Sequence, residues 1–167
     1  MRRFFYDTEF IEVAGAGKRP SLELVSIGIV GEDGSEFYAE NAEVDWRQAN
    51  EWVLQNVKPH LCGPKLSMHV LRDRLLAFLR PSVGDPVELW AYFADYDHVL
   101  LCWIFGAMSD LPPGMPKFTR DVKQLAMSHG NPRLPVQDGT DHHALNDARW
   151  VLSAWEALDR GRHGDAR

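Results

Sequence analysis

Asp7 and Glu9 stand two residues apart in Arg3-Phe-Phe-Tyr-Asp-Thr-Glu9, a segment whose aromatic content predicts a β-strand. The two-residue side-chain period of a strand puts both carboxylates on one face. With 24 acidic residues among 167, about three such acid-x-acid pairs are expected by chance, so the spacing alone is weak. The setting is stronger: Phe4, Phe5, Tyr6, Phe10 and Ile11 flank the pair and predict a strand buried on at least one side. Two carboxylates in such a place call for a cation. A second acidic group, Phe93-Ala-Asp-Tyr-Asp97 followed by His98, falls where a predicted strand meets an apolar helix. One of Asp95 and Asp97 is expected to cap that helix, and the other to point toward the open end of the sheet, where ligand sites of α/β folds form. A third group, Asp141-His-His-Ala-Leu-Asn-Asp147, opens the last predicted helix. His142 and Asp147 would lie about 140° apart on a regular helix, so they converge only if His142 sits in the loop before it, beside Gly139 and Thr140. Four carboxylates on three elements, with a histidine beside the last, suit phosphoryl chemistry assisted by two divalent ions about 4 Å apart, which take oxygen ligands. A neutral imidazole is the matching base, since a pKa of about 6.5 lets it accept a proton from water at physiological pH.

Such residues need a scaffold that brings distant parts of the chain together. Glu23 to Val30 reads as a second strand, and the Gly31-Glu-Asp-Gly-Ser35 turn leads into a third, Glu36 to Glu40, so the chain opens with an antiparallel βββ meander. Trp46 to Val57 and Ser67 to Arg80 read as helices; the second carries Leu71, Leu75, Leu76 and Leu79 at helical spacing and closes at Pro81. Val87 to Phe93 reads as a fourth strand, Asp95 to Gly106 as an apolar helix, Lys117 to Thr119 as a short strand and Arg120 to His129 as a helix. A Pro/Gly-rich loop, Gly130 to Gly139, precedes the final helix, whose Trp150, Val151, Ala154, Trp155 and Leu158 share one face. The reading is an α/β fold, a mixed sheet with an antiparallel βββ start flanked by helices. It is one domain over residues 1–158, and the polar tail 159–167 is expected to be disordered.

Composition narrows the classes. At 45% hydrophobic and 25% charged residues, the chain is of ordinary globular make-up, which excludes disordered, collagen-like and disulfide-scaffold classes. The longest apolar run, Val99 to Met108, falls short of the roughly 20 residues that span a bilayer. Arg2 and Arg3 are followed by Asp7 and Glu9 before a signal-peptide core develops, so a cytoplasmic location without a membrane partner is expected. Cys62 and Cys102 read as reduced thiols, and no Cys/His spacing suits structural zinc. Eighteen basic residues against 24 acidic ones give a net charge of -6, which excludes coating nucleic acid through a global basic field. It leaves open an enzyme whose bound cations present positive charge to a phosphate.

In order and spacing, the three motifs resemble those of the DEDDh exonucleases, the branch of the RNase H-like superfamily that contains oligoribonuclease, RNase T and the proofreading exonucleases. Asp7-Thr-Glu9 is similar to their D-x-E on the first strand. Tyr96-Asp97-His98 is similar to the second motif, in which an aromatic precedes a metal-binding Asp, and His142-His-Ala-Leu-Asn-Asp147 matches H-x-A-L-x-D throughout. Asp7-Thr-Glu-Phe10, Phe118-Thr-Arg120 and the short length look most like the short actinobacterial exoribonucleases known as RNase AS, which favour adenylate-rich RNA. The resemblance implies a 3′-5′ exoribonuclease on an RNase H-like fold that hydrolyses single-stranded RNA to 5′-nucleotides. It implies that Asp7, Glu9, Asp97 and Asp147 hold two Mg²⁺ or Mn²⁺ ions and that His142 is the general base. Glu9, Phe10 and His142 then meet the 3′ end of the RNA, and the protein is a homodimer. Asp97 is preferred to Asp95, which lacks the preceding aromatic, and Phe93 stands where many relatives carry Asn. Asp141-His142-His143 also spells the DHH phosphoesterase signature, but here it opens a last helix instead of following a strand, and it is set aside.

Single-stranded RNA bound without sequence readout is held by stacked aromatics and local cations. Phe10 is expected to wedge against the terminal base. Arg2, Arg3, Lys18, Arg19, Lys117, Arg120, Lys123 and Arg133 are the candidate cations, each equally readable as solubilising surface. Some of Trp46, Trp52, Trp103, Trp150 and Trp155 are expected to pack against a second subunit. The same motifs also permit a DNA 3′-5′ exonuclease or proofreading subunit, or a noncatalytic RNA-binding module of the same fold.

Overall fold

The computed structural model describes residues 1–164 except Ala16, Lys18 and Thr140, with side chains described as far as Arg160. Lys18 and Thr140, both named above, thus lie outside the described residues. Three long strands, β1 (Arg2–Val13), β2 (Ser21–Gly31) and β3 (Glu36–Asn41), form the antiparallel meander. Short strands extend it on both sides: β4 (Lys65–Leu66) runs parallel to β3, β5 (Val87–Ala91) parallel to β1, and β6 (Arg120–Asp121) parallel to β5. The sheet order is β4-β3-β2-β1-β5-β6. Five helices flank this mixed sheet: α1 (Glu51–Asn56), α2 (Met68–Leu79), α3 (Asp95–Phe105), α4 (Val122–Ser128) and α5 (Ala144–Gly164).

Local chemistry accounts for the differences from the sequence reading. The stretch from Trp46 to Val57 is interrupted: a 3₁₀ turn spans Trp46–Gln48, Ala49 is extended, and α1 starts afresh because the Asn50 side chain accepts from the Val53 N–H at 2.9 Å. The strand expected at Lys117 to Thr119 forms instead at Arg120–Asp121, where it pairs with Trp90 and Ala91. α5 continues past Leu158 to Gly164, so the first part of the expected tail is helical; residues 165–167 lie outside the description.

The alternation of β1 divides the interior. Phe4, Tyr6 and Phe10 face a cluster built with Leu71, Leu75 and Leu79 of α2 and Leu100, Leu101 and Ile104 of α3. Burying each such leucine contributes about 1.5–3 kcal/mol relative to exposure. On the other face Phe5 joins Val122 of α4 and Val151, Ala154, Trp155 and Leu158 of α5, while Ile11 joins Val25, Val53 and Val57. Asp7 and Glu9 occupy the positions between Phe5 and Ile11, so the two carboxylates interrupt an otherwise apolar face. Gly28 is paired with Asp7 across β1 and β2. A Cβ at Gly28 would overlap the Ala144 carbonyl and the Leu145 amide, so only glycine lets the first turn of α5 rest directly on β2.

Candidate active site

The close approach at Gly28 brings Asp147, in the first turn of α5, to the acidic face of β1. Asp7, Glu9 and Asp147 each offer a carboxylate oxygen, and these three atoms lie within 4.8 Å of one another. Glu9 is buried; Asp7 and Asp147 are half-buried. The Gln137 side-chain amide donates to Asp147 Oδ1. Asp97 lies outside this trio yet is tied to the same strand: its Oδ1 accepts from the Thr8 N–H at 2.9 Å and the Thr8 hydroxyl at 2.6 Å. Thr8 is the residue between Asp7 and Glu9, so the clamp sets Asp97 alongside both.

The helix cap expected of Asp95 or Asp97 is not made. Ala94 occupies the N-cap of α3, and both acids fall in the first turn. The Ala94 N–H is met from another element, by Asp121 Oδ2 at 3.0 Å. Asp97 is thereby left to β1, and Asp95 is exposed. Phe93 adopts φ 58° and is 63% exposed. That left-handed conformation suits Asn and costs a residue with a bulky Cβ substituent.

His142 precedes α5 with φ 62°, a left-handed turn that frees it from helical spacing. With Asp7, Glu9, Phe10, Trp52 and Asp147 it lines a cavity of ≈ 330 Å³. The Trp52 indole packs edge-on against the His142 ring, with centroids 4.8 Å apart. Phe10 is half-buried, its ring edge-on to Tyr96 at 5.4 Å.

The electrostatics are those of like charges held together. Burial, then the charges of Asp97, Glu9 and Asp147, push the Asp7 carboxyl well above its ordinary range. Burial and then the neighbouring Asp147 raise Glu9. Asp147 is raised by burial, against the hydrogen bonds from Gln137 and Glu9. Asp97 is likewise raised by burial, which the bonds from Thr8 only partly offset. Among the described residues no lysine or arginine forms an ion pair with any of the four. A cluster of hard oxygen donors with uncompensated negative charge fits a divalent cation such as Mg²⁺ or Mn²⁺, and does not fit a soft metal that takes sulfur.

Several expected residues have other employment. Arg2 pairs with Asp85, Arg3 with Glu32 and Glu88, and Arg120 with Glu88, all at the far end of β1, and Lys123 donates to Asn131. Trp155 is buried, and Trp150 donates its Nε1–H to the Pro135 carbonyl. Trp52 and Trp103 are exposed. Residues that the sequence reading missed are Thr8, Gln137 and Gly28. Gly28 did carry a signal, since an isolated glycine within the β-branched run Ser26-Ile-Gly-Ile-Val30 marks a close backbone approach; Thr8 and Gln137 carried none.

This sheet and its helices have the RNase H-like fold of DEDDh nucleases. The nuclease domain of 3′hExo, a DEDDh family member solved bound to rAMP, superposes with a TM-score of 0.56 over 98% of this chain and 92% of that one, at 13% identity. A 3′-exonuclease solved in 3′-end specific recognition of a histone mRNA stem-loop gives 0.57 over 98% and 64%, at 10% identity. Sequence comparison is more specific: residues 2–158 match the model of the 3′-5′ exoribonuclease Rv2179c-like domain. The 3′-5′ exoribonucleases Rv2179c and MT2234.1, from the H37Rv and CDC 1551 strains of Mycobacterium tuberculosis, are each 45% identical over 173 aligned residues, spanning 99% of this chain and of theirs. The chain belongs to the Rv2179c-like 3′-5′ exoribonuclease family.

Proposed function

We propose that this protein removes 5′-nucleotides stepwise from the 3′ end of single-stranded RNA, including adenylate-rich tails and 3′ overhangs. The observation that carries the reading is the meeting of Asp7, Glu9 and Asp147, with Asp97 clamped beside them, at a cavity that His142 also lines. Asp7, Glu9, Asp97 and Asp147 are the residues that would hold two divalent ions, Mg²⁺ or Mn²⁺. Such ions, when bound, supply positive charge to the scissile phosphate and make the attacking water more acidic.

The chain's own side chains do the rest. His142 accepts the proton of the attacking water, and its exposure lets it hand that proton to solvent. The bond between phosphorus and the 3′ oxygen of the upstream nucleotide breaks and that oxygen takes a proton from solvent, so the released nucleotide keeps the phosphate and the shortened strand ends in a 3′ hydroxyl. Thr8 and Gln137 each occupy one carboxylate oxygen, which fixes how Asp97 and Asp147 are turned. Phe10 and Trp52 offer rings to the terminal base. Glu12 and Asn50 are shared with an adjoining cavity of ≈ 620 Å³ that Arg47 and Gln48 also line, which gives room for the upstream nucleotide. A homodimer in the cytoplasm belongs to the same reading and rests on the family resemblance and the sequence.

The test is a time course of 5′-labelled single-stranded RNA, as poly(A) and as mixed sequence, beside matching DNA, with Mg²⁺, Mn²⁺ or EDTA. Shortening from the 3′ end that EDTA abolishes is the expected result. RNA left intact with both metals overturns the proposal; affinity without turnover then indicates a binding module. Faster digestion of the DNA oligomer turns the reading to a DNA exonuclease.

A further inference from the structure

The face of the sheet that carries Asp7 and Glu9 continues outward with polar side chains that the proposed reaction does not use. The register pairs Glu9 with Ser26 and Ser26 with Glu40, and pairs Asp7 with Gly28 and Gly28 with Tyr38. Directly paired residues share a face, so Tyr38 and Glu40 on β3 lie on the acidic side of the sheet, two strands from the site. Glu40 is 1% exposed, a depth carboxylates almost never reach without firm partners. Its Oε1 accepts from the Gly63 N–H at 2.6 Å and from the Tyr38 hydroxyl at 3.1 Å, while its Oε2 is buried with no hydrogen-bond partner among the described residues. Burial and then the Glu40 charge push the Tyr38 hydroxyl up, which keeps it a donor. The other end of this arrangement is His143, whose ring lies flat on the Tyr38 ring, with centroids 4.5 Å apart and planes 20° apart. A Cβ at Gly63 would overlap that tyrosine ring, so Gly63 closes against it from the loop side.

The next residue back along the chain is His142, at φ 62°. A left-handed conformation is strained for a residue with a Cβ and persists only where its surroundings hold it. Two anchors follow His142 immediately: the His143 ring on Tyr38, and the Ala144 backbone against Gly28. Without the first, His143 keeps only its backbone bond, in which its carbonyl accepts from the Asp147 N–H at 3.1 Å, and relaxation of His142 to negative φ turns the imidazole away from Asp7, Glu9 and Asp147.

We propose that Glu40, Tyr38 and His143 form a positioning column that holds His142 in its left-handed conformation and aims its imidazole into the carboxylate cavity. The inference rests on His142 being the base in the function proposed above. His143 acts through the backbone and is no second base: it does not line the cavity, its ring is turned onto Tyr38, and its Nδ1 is buried.

The experiment compares His143→Ala with His143→Phe, the second of which restores a flat ring against Tyr38 without an imidazole. On a short RNA with Mg²⁺, His143→Ala is expected to lower kcat by about 10²-fold, the effect of a misplaced catalytic group, with KM within about twofold. His143→Phe is expected to return kcat to within a few-fold of the parent. Two equally inactive variants would mean that the imidazole itself is needed and not the ring packed on Tyr38, and two fully active ones would give His143 no role; either result overturns the column. A second readout does not depend on turnover: the His142 ring resonances, displaced by the adjacent Trp52 indole, should move in His143→Ala and stay in His143→Phe. Unmoved resonances in His143→Ala overturn the proposal even if the parent cuts no RNA, whereas an uncut RNA with the expected movements overturns only the assigned function. If His143→Ala does not fold, Glu40→Gln takes its place, and a parent-like kcat together with unmoved His142 resonances would sink the idea.

Discussion

The two ends of β1 treat negative charge in opposite ways. Near Arg3, the Glu88 carboxylate is largely buried, yet it accepts from Trp90 Nε1 at 2.8 Å, Arg120 Nε at 2.8 Å and Arg3 Nε at 3.1 Å. Burial pushes its pKa up, but the Trp90 bond and the two arginines outweigh it and hold the group below the ordinary carboxylate range. At the Asp7 end, burial pushes Asp7, Glu9, Asp97 and Asp147 up, and hydrogen bonds from Thr8 and Gln137 do not reverse the shift. Burial acts the same way at both ends, so what separates them is the counterion. A carboxylate that serves the fold has its arginine within the fold; a cluster left without one is a cost to stability that only a ligand removes.

The contrast can be broken most severely at Asp147. Asp147→Asn is expected to slow RNA shortening by roughly 10³-fold or more, the scale of several kcal/mol of transition-state stabilisation, while the cation-free variant melts no lower than the parent. Wild-type cleavage by this variant would take Asp147 out of the site. Next in size is the response to metal. At a hundred times its dissociation constant, Mg²⁺ or Mn²⁺ should stabilise the parent by about 2.7 kcal/mol, read as a rise in melting temperature that Asp147→Asn largely loses. An unchanged melting temperature in the parent would mean that the four carboxylates hold no cation.

Gly28→Ala tests how the acidic end is assembled. Forcing a methyl between β2 and α5 should cost about 1–3 kcal/mol by denaturant unfolding and lower activity as well, because His142 and Asp147 move with the helix. Gly84→Ala is the control, since nothing lies within 4 Å of a Cβ there. The smallest effect is expected at the paired end: Glu88→Gln should cost about 1 kcal/mol. Its pH dependence carries the sharper contrast. Glu88 titrates lower in the folded state, so its stabilisation is complete above the unfolded value of about 4.5 and fades as pH falls through the folded one. The raised carboxylates have the opposite sign: the folded state holds their protons more tightly, so the cation-free protein should gain stability as pH falls from neutral toward the ordinary carboxylate range. Melting curves across pH, with and without Mg²⁺, separate the two; a cation-free protein that weakens steadily below neutral pH would contradict the second.

Much of the candidate site was legible because the chemistry proposed for it demands particular residue types at particular spacings. Asp7 and Glu9 share a face by the strand period alone, and His142 had to leave the helix to meet Asp147, as its left-handed turn shows. The meander and the apolar face of α5 were equally plain, since β-branched runs and a helical stripe are signals within one element. What escaped was set between elements. β4 is two residues long and exists only because β3 offers it an edge. The donor at the start of α3 is satisfied by Asp121 and not by an acid of its own helix, which no local pattern could announce. The column from Glu40 to His143 depends on register across three strands and on a loop that returns to them.

The placement of Asp7 on the first strand and Asp147 on the last helix, with Gly28 as their meeting point, also fixes when the site comes into being. A nascent chain emerging from the ribosome displays Asp7, Glu9 and Asp97 long before α5 can dock, and until then it lacks both His142 and Asp147. The proposed site is therefore incomplete in a nascent chain until α5 has emerged and docked on β2.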